Sequence, residues 1–135
     1  TSWGDSPLTQ TPFYEAYLKE QCVQIALKSK NKLNDDLLRY LAADTNPLDV
    51  KLAVINAIGW SNKGLKNSQV FLNHIMKTKK YQSEANRKSI TFKWNATADE
   101  LTCYAYLMAM ENYFDVTDAN KIAQLALKKN PIALL

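Results

Sequence analysis

The sequence predicts an all-α fold, on three observations. Apolar residues recur at helical spacing along most of the chain, as at Tyr14, Leu18, Cys22 and Ile25, or at Leu101, Tyr104, Ala105 and Met108. The 3 Gly and 4 Pro among 135 residues are too few for the many turns of an all-β chain. Residues 34–60 read as a short outer helix, a tight Asn-Pro turn and an almost wholly apolar inner helix. The length suits one domain with a real core, and 47% hydrophobic with 22% charged residues is ordinary for a globular chain. Residues 1–11, polar with Trp3, Gly4 and Pro7, read as an extended N-terminal segment. Residues 12–135 read as a single α-helical domain of about six helices with an extended insertion at 81–96.

The elements follow in order. Thr11 caps the first helix, Pro12 occupies its first turn, and Tyr14, Leu18, Cys22 and Ile25 form its i, i+4, i+8, i+11 stripe. Lys28, Lys30 and Lys32 lie toward the negative end of its dipole. The second helix begins at Asn34, carries Asp35 and Asp36 in its first turn and buries Leu37, Leu38 and Leu41. Asn46 caps the third, with Pro47 at the first position and Asp49 at the third, a box-like arrangement for the free amides. From Leu48 to Ile58 only Asp49, Lys51 and Asn56 are polar, so this helix is packed on several sides. Gly59 supplies a left-handed cap or turn, and residues 61–67 form a loop.

Ser68 caps the fourth helix, which buries Phe71, Leu72, Ile75 and Met76 and ends in Lys77, Lys79 and Lys80. In the insertion, Ile90, Phe92 and Trp94 alternate with Thr91, Lys93 and Asn95, which is strand period and predicts one short strand. Thr97-Ala-Asp-Glu100 is a capping box that opens the fifth helix, whose main stripe is Leu101, Tyr104, Ala105, Met108 and Ala109. Cys103, Tyr106, Leu107 and Met110 fill its other faces and make it interior. Thr117 caps the sixth, with Ile122, Ala123 and Ala126 inward and Lys128 and Lys129 at its end. Asn130-Pro131-Ile132 repeats the Asn46-Pro47-Leu48 signal, which marks either a frayed final turn or the start of a further inner helix.

A shift of 52 residues places Ala53 on Ala105, Ile55 on Leu107, Ala57 on Ala109 and Ile58 on Met110. Small residues four apart let a neighbouring helix approach closely. Residues 34–60 resemble a HEAT-type repeat. Leu37, Leu38 and Leu41 are similar to its first-helix leucines, Val50-Lys51 to its Val-Arg pair, and Ala53, Ala57 and Gly59 to its second-helix Ala…Ala-Leu-Gly pattern. Residues 68–113 resemble a second, divergent unit in which Ala105 and Ala109 match but Glu111 stands where Gly is expected. Residues 126–131 also resemble the close of a tetratricopeptide repeat, although the 28 residues before them lack that family's small-residue and aromatic spacing. Either resemblance implies a right-handed helical repeat stack, an α-solenoid segment used to bind proteins or peptides.

Charge is placed unevenly. The chain is +4 overall, yet residues 61–98 hold eight basic residues against the single acid Glu84, a net +7, while the remainder is −3. Trp60, Tyr81, Phe92 and Trp94 lie within or beside this basic region. Such a region docks an acidic protein or peptide, or holds phosphate and stacks bases, or is simply a solvated surface with its aromatics turned inward. The expectation drawn is a non-catalytic module that binds an acidic protein or peptide. The candidate contacts are Lys77, Lys79, Lys80, Arg87, Lys88 and Trp94. A small inhibitor or immunity-type protein and a nucleic-acid-binding repeat protein are the alternatives.

Catalytic readings lack a motif. His74 is the only histidine and sits mid-helix. Asp35-Asp36 and Asp99-Glu100 fall in first helical turns, where capping accounts for them. There is no GxSxG, no HExxH and no Gly-rich phosphate loop. Cys22 and Cys103, 81 residues apart among apolar neighbours, read as two buried thiols, and without a CxxC or Cys/His cluster no zinc site is expected. No cofactor is implied. Asn95-Ala-Thr97 is a glycosylation sequon, but Thr97 is already assigned as a cap. No run of about 18 apolar residues is present, so no membrane span is expected.

Overall fold

A computed structural model describes residues 10–60, 66–81, 88–111 and 117–130, with only the backbone of 88–90. The expected lead-in at 1–9 and the Asn-Pro-Ile signal past Asn130 lie outside the described residues. The chain is all-helical there: a 3-10 turn, Phe13–Tyr17, is followed by seven α-helices and no strand.

The expected first helix is two elements. After the 3-10 turn the backbone is extended at Glu20 (φ −77°, ψ 125°), and α1 spans Gln21–Leu27. The Tyr14–Ile25 stripe is therefore not one helical face, and Leu18 is 45% exposed. Tertiary partners override the local spacing here. The side chain of Asn56, buried in the core, accepts from the Tyr14 N–H (3.1 Å) and donates to the Thr11 carbonyl and the Tyr106 hydroxyl (both 3.0 Å). Phe13 stacks on Tyr106 at 6.5 Å. These bonds hold the segment flat against the helices beneath it.

α2 spans Asp35–Ala42 and is capped as expected, Asn34 accepting from the Leu37 N–H at 3.0 Å. Leu37, Leu38 and Leu41 are buried, each contributing about 1.5–3 kcal/mol by burial. α3, Leu48–Ile58, is buried at every position from 50 to 58, as its composition predicts. Asn46 does not cap it. The Asn46 amide donates back to the Tyr40 carbonyl (2.9 Å), and Pro47 stands at the cap position with no side-chain bond. Gly59 has φ +79°, and its N–H reaches the Ile55 carbonyl. A Cβ there would lie 3.2 Å from Asn31 Nδ2, which itself donates to the Ile58 carbonyl at 2.6 Å.

α4 spans Asn67–Thr78 and buries Phe71, Leu72, Ile75 and Met76. Ser68 lies inside it rather than capping it, and the Ser68 N–H and hydroxyl both donate to the Glu111 carboxylate. The expected extended insertion contains a helix instead, α5, Lys88–Asn95. Its Ala96 N–H donates to the Phe92 carbonyl at 2.8 Å, four residues back. On a strand these alternating residues would share one face; on the helix residues two apart point in nearly opposite directions, so Phe92 turns inward while Trp94 faces solvent. Phe92 is fully buried, edge-on to Phe71 (6.5 Å) and Tyr104 (5.1 Å).

α6, Ala98–Glu111, opens on the predicted box. The Glu100 N–H donates to Thr97 Oγ1 (3.1 Å), and the Thr97 N–H donates to Glu100 Oε1 (2.9 Å). α7, Thr117–Lys129, buries Ile122, Ala123 and Ala126 as expected and begins at Thr117. α6 is the hub, packed by α3, α4 and α7. The bonds fix the directions. Glu111 at the end of α6 meets the start of α4, so these two are antiparallel. Asn56 meets Tyr106 while the end of α3 meets the loop before α2, so α3 runs parallel to α6 and α2 parallel to α4.

Candidate binding surface

Three helices end at one pole of the molecule, around the first turn of α6. Lys79, the C-cap residue of α4, places Nζ 2.7 Å from both Asp44 carboxylate oxygens and 3.1 Å from Glu100 Oε2. Glu100 is buried, and its Oε1 also accepts from the Tyr81 hydroxyl at 3.1 Å. Burial works to lower the Lys79 pKa, but the bonds to Asp44 and Glu100 outweigh it and hold the ammonium above its ordinary value. Burial, with the charge of Glu100 beside it, pushes Tyr81 up to about 12. From the other side, Lys129 at the end of α7 donates to the carbonyls of Lys93 (3.2 Å), Trp94 (3.4 Å) and Ala96. This amine closes the C-terminus of α5, where free carbonyls and the helix dipole favour a cation.

The candidate contacts separate on this frame. Lys77 and Lys80 are exposed in and just after the last turn of α4. Lys80 has φ +56°, the left-handed region, and the next N–H, of Tyr81, returns to the Met76 carbonyl. Trp94 is 80% exposed at the end of α5. Lys79 is half-buried and bridges the exposed Asp44 to the buried Glu100, so it is not a free surface amine. Arg87 lies outside the described residues, as does the side chain of Lys88. Lys66, in the same basic run, is at the opposite end of the twelve-residue α4, about 17 Å away at 1.5 Å per residue.

The fold adds cations to the candidate contacts. Lys93, exposed beside Trp94, and Lys128 and Lys129 of α7 join the same pole. The signal was present in pieces. The short connection between the two interior-facing helices 98–111 and 117–129 makes them antiparallel, which returns Lys128 and Lys129 to the start of α6.

Other features offer less chemistry. His74 is half-buried midway along α4. Both cysteines are free thiols; Cys103 is fully buried, and burial pushes it up to about 12, while Cys22 is only half-buried. Among the described residues no group of three His, Cys, Asp or Glu is placed to hold a metal, and no helix is long and apolar enough to cross a membrane. An open cleft of about 300 Å³ lies where α2 and α4 begin, rimmed by Lys32, Asp35, Lys66 and Val70. Its asparagines, Asn34 and Asn67, bond to the Leu37 and Leu33 N–H groups.

No known protein family, characterised protein or solved structure matches this chain.

Proposed function

We propose that this chain is a HEAT-like helical-repeat module without catalytic activity, which binds an acidic protein through the basic pole where α4, α5 and α7 end. The observation that carries the reading is Trp94, 80% exposed on a helix whose other face is locked into the core by Phe92. A large aromatic left in water where three lysine-bearing helix ends meet has the composition of an interface anchor. The repeat reading is supported by the common direction of α2 with α4 and of α3 with α6, and by buried Ala53, Ala57, Ala105 and Ala109 at corresponding positions. Two departures accompany it. α5 is inserted between the outer and inner helices of the second unit, and Glu111 replaces the terminal glycine.

The test is a pull-down with the tagged chain, with and without nuclease, comparing wild type with Lys77→Glu/Lys80→Glu and with Trp94→Ala. One stoichiometric protein that survives nuclease and is lost from both variants is the expected result. Lys79 is left unchanged because its reversal would leave Glu100 buried and unpaired. Recovery that disappears on nuclease treatment favours a nucleic-acid ligand, and a captured protein that all variants retain removes the pole as the site.

A further inference from the structure

The pole has features that narrow its partner beyond an acidic protein. Its carboxylates Asp44 and Glu100 share the single ammonium of Lys79, so this cluster keeps only one net negative charge against the outer lysines. Lys77, Lys80, Lys93 and Lys128 are exposed and make no ion pair among the described residues, with Asp99 in the first turn of α6 offsetting one charge. These amines come from three separate helix ends, and Trp94 stands at the middle one. Neighbouring helices pack about 8–10 Å apart, so three ends span about 20 Å, the reach of about six extended residues.

The platform is also ordered in advance. Lys129 holds the carbonyls on either side of the indole, and Phe92, two residues earlier, is wedged between Phe71 and Tyr104. A partner that covers Trp94 does not have to order the backbone that carries it. Single-stranded nucleic acid fits less well. It prefers a groove that follows the backbone and a series of aromatic faces for successive bases. Among the described residues the other exposed large apolar side chains are aliphatic, and Trp94 is the one exposed aromatic ring.

We infer that the pole takes a short acidic peptide segment bearing one aromatic or large apolar residue, that residue lying on Trp94 and its flanking carboxylates meeting Lys77, Lys80, Lys93 and Lys128. Lys129 is a positioning residue that acts through the end of α5. This rests on the reading of the chain as an acidic-protein binder and specifies what part of the partner is held.

The test uses fluorescence anisotropy with three labelled probes: a heptapeptide of glutamates around a central phenylalanine, the same peptide with glycine at the centre, and a short oligothymidylate. The phenylalanine peptide should bind about tenfold tighter than the glycine peptide. Trp94→Ala should erase that difference while leaving weak, salt-sensitive binding of both peptides. Lys93→Glu/Lys128→Glu should weaken both peptides together. Lys129→Met should reduce the preference for phenylalanine while leaving the glycine peptide nearly unaffected. Circular dichroism checks that each variant is folded, and Trp94 and Lys93 are exposed enough for their replacement to leave the core intact. Equal affinity for the two peptides, a wild-type preference in Trp94→Ala, or tighter binding of oligothymidylate overturns the inference. If neither peptide binds, yet a protein captured by wild type is lost from Lys77→Glu/Lys80→Glu, the peptide inference falls and the protein-binding reading stands.

Discussion

Glu111, the last residue of α6, caps the first turn of α4 through Ser68, accepting both its N–H (3.3 Å) and its hydroxyl. At the end of its own helix a carboxylate faces the negative pole of the dipole, whereas against α4 it meets the positive one. The cap residue of α4 itself, Lys66, contributes no side-chain bond, so the carboxylate comes from another helix. α3 and α6 thus end differently, the first on the left-handed Gly59 and the second on this carboxylate.

Glu111→Ala is expected to destabilise the fold by about 0.5–2 kcal/mol, the range for loss of a helix cap. Ser68→Ala should cost a similar amount, because it leaves the partly buried carboxylate short of a donor. Urea unfolding of each variant measures it, and a change under about 0.3 kcal/mol in both would show the cap to be energetically idle.

The same group sets a pH dependence. Burial raises the Glu111 pKa above its ordinary 4.5, although the bonds from Ser68, the Asn67 N–H and the charge of Lys66 pull it down. The folded chain therefore keeps a proton that the unfolded chain has already released. The contribution is full below about pH 4.5, falls as pH rises through the raised value and is then level. Glu111→Gln cannot ionise and should lack this decline. Denaturation of both proteins from pH 4 to pH 7 tests the sign, and parallel curves would refute it.

Lys80→Gly should separate stability from binding. Glycine relieves the left-handed backbone and should stabilise the fold by about 0.5–1 kcal/mol. It also removes an exposed cation from the pole, so binding of the acidic partner should weaken. A glycine variant that is more stable and binds equally well would take Lys80 out of the interface.

Thiol labelling should distinguish the two cysteines. Cys103 is fully buried and pushed up to about 12, so it should react only when the chain opens. Cys22, half-buried and raised chiefly by burial, should label slowly but in the folded state. In Cys22→Ser, rapid modification of Cys103 under native conditions would contradict the packing around α6.

What was legible in the sequence was what one turn of chain decides. The Asn34 cap, the Thr97–Glu100 box, the Leu37–Leu41 stripe and the positive φ of Gly59 each involve groups within four residues of one another. Asn46 and Ser68 carried the same kind of signal, but bonding partners elsewhere in the fold, the Tyr40 carbonyl and Glu111, drew their side chains away. α5 was misread because Ile90, Phe92 and Trp94 alternate as they would along one face of a strand, whereas the helix turns Phe92 inward and Trp94 outward. The candidate surface was legible only in part. Lys77, Lys80 and Trp94 lie close in sequence, whereas Lys128 reaches them through the meeting of helix ends. The pairing of Lys79 depends on Asp44, 35 residues away, and on the buried Glu100.

The buried amide of Asn56 has a consequence for how the two inner helices stay aligned. Ala53 and Ala57 on α3, with Ala105 and Ala109 on α6, are buried but small, and small side chains interlock less than large ones, which tolerates slippage by a turn. Asn56 bonds at once to α6 through Tyr106 and to the N-terminal segment through Thr11 and Tyr14. Only one register satisfies all three partners, and any other strands a polar group in the core at a cost of about 1–3 kcal/mol. The amide thus works as a dowel, giving a greasy, small-residue joint a single seating.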